Sequence, residues 1–210
     1  MGWPSSEKVS RPERGVLAVD PLRLGELEAR AWSAYYRRRW PAMLLAIAGL
    51  VRESLRLSTR HTVYGAWLVI RANQVWAPYP RNDPDAARAY MARFYRMLAR
   101  AHPGAFGPGF DPVKAARLDV AWWTVHRRLQ RESPPGADAE PLVDALAALA
   151  AHVFGVPARD VRPAAQARAE AMLLSDRWVA GGCRHDDDTL AGARAALVRS
   201  NAALLTALHR

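Results

Sequence analysis

The residues of this chain with the greatest chemical reach lie in Ala121-Trp122-Trp123-Thr124-Val125-His126-Arg127-Arg128-Leu129-Gln130, where a lone histidine stands beside two tryptophans. Leu118, Trp122, Val125 and Leu129 recur at the spacing of a buried helical stripe, and His126 lies on its margin, four residues after Trp122. A neutral imidazole held between aromatic rings can bind a metal or haem iron through one nitrogen while the other finds a hydrogen-bond acceptor. It can equally be a hydrogen-bonded core residue. Asp119, two turns earlier, shares the His126 side of the helix.

A second charged helix precedes this one. Met91, Phe94, Leu98 and His102 share a face, Tyr90 and Tyr95 flank it, and Arg88, Arg93, Arg96 and Arg100 lie elsewhere. At 1.5 Å per residue His126 sits about 21 Å beyond the start of its helix, level with about residue 88 of an antiparallel partner. Arg88, Met91 and Arg93 are therefore its expected neighbours, and His102 is expected to cap its own helix. His185-Asp186-Asp187-Asp188-Thr189 could chelate Mg²⁺, but acids just before a helix more simply cap it.

The elements that position these groups are helices. Strand signals are nearly absent, and prolines at first turns, aspartates before them and glycines after them punctuate helical patterns near 22–38, 41–57, 61–76, 84–102, 112–131, 140–154, 160–180 and 187–208. The expected fold is all-α, a single-domain bundle of about seven to eight helices over 21–210, after a flexible arm over 1–20. The helix over 41–57 is expected to bury Met43, Leu44, Ile47, Leu50 and Val51. That over 61–76, apolar nearly all round, is expected to be central. Ser133 to Asp138 and Gly155-Val156-Pro157 are breakers, and Gly181-Gly182 stops the seventh helix.

Composition narrows the classes. The chain has 210 residues, 30 basic against 20 acidic, a formal net charge of +10. Only Lys8 and Lys114 are lysines, alongside abundant alanine, which suits a GC-rich bacterial genome more than a nucleic-acid surface; nucleic acid is disfavoured as a partner. Cys183 is the single cysteine, which excludes an internal disulfide and suits the reducing cytoplasm. The longest apolar run, Ala42 to Val51, falls well short of the roughly 20 residues that a membrane span needs. Glu-x-x-His pairs, His-x-x-x-His, Cys-x-x-Cys, Walker and Gly-x-Ser-x-Gly motifs are all missing, so di-iron bundles, zincins, P-loop enzymes and α/β hydrolases have no support.

Three landmarks then follow in order: Arg96-Met97-Leu98-Ala99-Arg100-Ala101-His102, Trp123-Thr124-Val125-His126 and Phe154-Gly155-Val156-Pro157. Over about residues 78–175 this order resembles the bacterial rubber-oxygenase and mycophenolic-acid-pathway oxygenase family, an all-helical group associated with haem b. The resemblance implies a haem-dependent oxygenase acting on a small apolar molecule. His126 would be the axial metal ligand, Trp122, Trp123 and Met91 would pack near the cofactor, and Arg93 or Arg96 would be the catalytic cation polarising bound O₂ or an anionic substrate. The family's apolar helix ending in His-Pro has no counterpart at 43–52, which reads Leu44-Leu45-Ala46-Ile47-Ala48-Gly49-Leu50.

Two other classes stay open. One is a cofactor-free bundle that binds a small apolar ligand or a partner, a homodimer included, around Trp67, Trp76, Tyr95 and Trp123. The other is peripheral membrane attachment through Arg37 to Trp40 and the apolar helix that follows.

Overall fold

Aspartate, proline and glycine set the helix ends. Asp20, Asp83, Asp111 and Asp187 each accept a backbone N–H of the turn that follows, from Leu22, Ala86, Val113 and Thr189, and Pro21, Pro84 and Pro112 occupy first turns, where a missing N–H costs nothing. A computed structural model of the chain describes residues 19–55, 57–132, 138–184 and 187–209. All of the expected arm but Val19 and Asp20, Ser133 to Ala137 of the expected breaker, and His185 and Asp186 of the acidic cluster lie outside the described residues.

The described residues form eight helices and no strand: α1 (Pro21–Tyr36), α2 (Trp40–Leu55), α3 (Thr59–Trp76), α4 (Pro84–Ala101), α5 (Pro112–Glu132), α6 (Glu140–Phe154), α7 (Ala158–Ala180) and α8 (Asp188–Leu208). Each packs on the next, and α8 returns to α1, so the bundle closes on itself. Its thinnest seam is α2 against α3. Gly155 ends α6 at φ +65°, a left-handed position that glycine adopts without steric cost.

α5 lies between two cores. Val120 and Trp123 join Ala72, Trp76, Met91, Tyr95 and Leu98 from α3 and α4. Trp122, Val125 and Leu129 pack instead on Leu142, Leu146, Val161, Ala165 and Met172 from α6 and α7. Neighbouring residues of one helix thus serve opposite interiors, so the helix is gripped on both sides.

Two expectations about burial are corrected. α3 is not central along its length: Leu68, Ala72 and Trp76 are buried, but Val63, Tyr64 and Trp67 are exposed, Val63 by 65%. Its N-terminal half packs on α4 at Gly65 and Trp67 and on α2 through the thin seam, which leaves its outer face uncovered. α2 does not bury Leu44, which is 49% exposed, and Leu45 beside it is 75% exposed. Its one described buried apolar residue is Ala46, because the helix rests mainly on α1 and touches α3 only through the thin seam, where Val51 meets the α3–α4–α5 core.

Candidate functional site

α5 carries the groups with the richest chemistry, and the structure ties each of them down. Nε2 of His126 lies 2.8 Å from Oδ2 of Asp176 on α7, so the Nε2–H form of the ring donates to that carboxylate. Gln130, one turn further along α5, donates to Oδ1 of the same residue at 2.7 Å. The His126 side chain is 16% exposed. Asp119 points elsewhere, with both its oxygens engaged: the Tyr95 hydroxyl donates at 2.9 Å and the Trp122 indole at 2.8 Å. Among the described residues it is one of three buried polar or charged ones, at 7% exposure. Burial pushes its carboxyl up to about 6 against the opposing pull of Tyr95, Trp122, Trp123 and Arg168. Burial together with Asp119 holds the Tyr95 phenol well above its ordinary value.

Of the expected neighbours of His126, none is its partner. Met91 lies in the α3–α4–α5 core. Arg88 pairs with Asp85 on its own helix. Arg93 and Arg96 are exposed, and Arg93 sits 5.8 Å from the ring of Tyr90, which itself meets Trp67 of α3. Arg93 belongs to the α3 side of α4, whereas His126 belongs to the α7 side of α5. Nε2 of His126 is taken by Asp176, which leaves Nδ1 as the ring's open nitrogen, and the Trp122 indole is bonded to Asp119. Two clefts of about 420 and 560 Å³ run along α1, against α8 and α2, and neither is lined by α5. Among the described residues no group of three or more histidines, cysteines or acids is placed to hold a metal ion. His102 does cap α4, its backbone N–H reaching Leu98 O, while its Nε2 is buried without a hydrogen-bond partner.

No protein-family model, curated protein or solved structure matches this chain. Function has to be read from the molecule itself.

A cluster of exposed aromatic and apolar groups lies at the corner where α1 passes into α2. Tyr35, Tyr36, Trp40, Leu44 and Leu45 are all exposed there, and Tyr35 packs edge-on against both Tyr36 and Trp40. Arg37, Arg38 and Arg39 form the turn. Arg37 is anchored, donating from Nε and Nη2 to Cys183 O at 3.1 and 2.9 Å and lying 5.0 Å from the Trp178 ring. Arg38 adopts φ +56°, a left-handed conformation that costs an arginine about 1 kcal/mol or more. From Tyr36 to Arg52 there is no acidic residue. Arginine clusters were visible in the sequence; the exposure of the helix beside them was not, because its apolar pattern also suits a core helix.

Proposed function

We propose that this protein docks peripherally on an anionic lipid surface, using the α1–α2 corner as its contact. The observation that carries this reading is the outer face of α2: Trp40, Leu44 and Leu45 stand exposed, flanked by three consecutive arginines and free of acids. An apolar helix needs a cover on every side, and α1 together with the thin α3 seam leaves the outer face bare. An anionic membrane supplies both remaining requirements. Its acyl boundary accepts leucine and tryptophan, its headgroups accept arginine at about 1 kcal/mol per residue, and amphipathic aromatic rings favour the boundary between the two. The overall charge of +10 acts in the same direction.

Docking of this kind is monotopic. No helix among the described residues is long and apolar enough to cross a membrane. The test is flotation of the full chain with phosphatidylserine vesicles and with phosphatidylcholine vesicles. Binding to the first alone, weakened by raising salt from 0.05 to 0.5 M as screening requires, is the expected result. Self-association that Leu45→Glu abolishes, with no vesicle binding, would show that a second copy of the chain covers α2 instead.

A further inference from the structure

Arg127 and Arg131 stand one turn apart on α5 and meet the loop that follows α3. Nη1 of Arg127 donates to Trp76 O at 2.9 Å. Its Cζ lies 4.3 Å from the Trp76 ring centroid and 5.7 Å from that of Tyr79. Arg131 Cζ lies 4.8 Å from the Tyr79 ring. Among the described residues neither guanidinium forms an ion pair, although the same structure pairs Arg23, Arg88, Arg162, Arg168, Arg194 and Arg199 with carboxylates. The two like charges repel, and burial together with Arg131 depresses Arg127 below its ordinary value. The aromatic rests nevertheless hold both cations side by side, and among the described residues no carboxylate offsets them.

We infer that Arg127 and Arg131 form a fork for a phosphate monoester, with Trp76 and Tyr79 fixing the two guanidiniums. A dianion matches two adjacent cations, planar guanidiniums bond phosphate oxygens in pairs, and stacking reduces the ordering that binding would otherwise demand. Tyr35, whose ring lies 6.1 Å from that of Trp40 at the α1–α2 corner, acts on Arg127 only weakly through its charge. The inference deepens the membrane reading, and rests on it for the source of the phosphate: a lipid headgroup that ends in a monoester.

Flotation of the full chain on phosphatidic acid and phosphatidylserine vesicles of matched surface charge tests this, alongside a fluorescence titration with inorganic phosphate at constant ionic strength. Arg131→Gln is the chief variant, because Arg131 is exposed and its loss spares the core; Arg117→Gln, also exposed on α5, removes the same charge elsewhere. The wild type is expected to prefer phosphatidic acid by about tenfold, as loss of a charge-assisted contact implies. Arg131→Gln should erase that preference while binding phosphatidylserine as Arg117→Gln does. Equal affinity of the wild type for both lipids, or a preference that survives Arg131→Gln, overturns the fork and leaves membrane docking standing. Saturable phosphate binding that Arg131→Gln removes, without any vesicle binding, keeps the fork and sinks the membrane reading; neither response overturns both.

Discussion

The α5–α7 seam and the α1–α2 corner meet around Tyr36 and treat their chemistry in opposite ways. At the seam, His126 and Gln130 bond Asp176, while Tyr95 and Trp122 bond Asp119 on the other side of α5. At the corner, Trp40, Leu44 and Leu45 stand about half exposed or more. Tyr36 belongs to both, since burial and Asp176 push its phenol up to about 12 while its ring meets Tyr35 on the exposed side. Satisfied polar groups are what a buried interior requires, so their presence explains stability. Uncovered apolar surface is what a folded chain avoids unless something covers it, so its presence points outward, to function.

The largest effect should come from emptying the buried Asp119 site on α5. Asp119→Ala leaves the Tyr95 hydroxyl and the Trp122 indole without acceptors, and should cost about 4 kcal/mol in urea unfolding, at 1–3 kcal/mol per orphaned group. Vesicle binding by the fraction that remains folded should be unchanged. A comparable cost from Leu45→Glu would break the distinction between the two regions.

Titration sharpens it next. The Asp119 carboxyl titrates near 6 in the folded chain and near its ordinary value of 3.8 when unfolded, so the folded state holds the proton more tightly. Its contribution is fully present below the unfolded value and is lost as pH rises through 6. Between pH 4 and 6 the loss amounts to about 3 kcal/mol at most. Asp119→Asn, which keeps an acceptor for Trp122 and a donor toward Tyr95, should flatten that pH dependence in thermal melts when compared with the wild type.

Leu45→Glu should weaken binding to anionic vesicles by about 2 kcal/mol, some thirtyfold, by removing apolar contact and adding repulsion. Its unfolding free energy should move by less than about 0.5 kcal/mol, as surface changes do. Smallest of all, Arg38→Gly should stabilise the fold by about 0.5–1 kcal/mol, because glycine meets φ +56° without strain. The same variant should bind vesicles severalfold less well. A stabilised variant with undiminished binding would show that the Arg38 charge has no part in docking.

Much of the fold was legible in the sequence because its signals are local. Asp83-Pro84, Asp111-Pro112 and Gly155 mark boundaries through the geometry of single turns, and the helices begin and end within about two residues of those marks. The site was legible only as an inventory. His126, Asp119, Trp122 and Trp123 could be recognised as reactive or polar residues on one helix, but their partners Asp176 and Tyr95 lie 50 and 24 residues away. Spacing along one helix carries no information about which distant helix faces it. The exposure of Leu44 and Leu45 was hidden for a related reason: an apolar helix reads alike whether its outer face meets protein or stays uncovered, and only the packing of α2 mainly on α1 tells the two apart.

Hydrogen exchange of the full chain, with and without phosphatidylserine vesicles, tests the central claim most directly. Slowed exchange concentrated in Tyr36 to Arg52, with the α5–α7 seam unchanged, is the predicted result. Slowing at His126 and Asp176 with none in α2, or no response to vesicles anywhere, would contradict it.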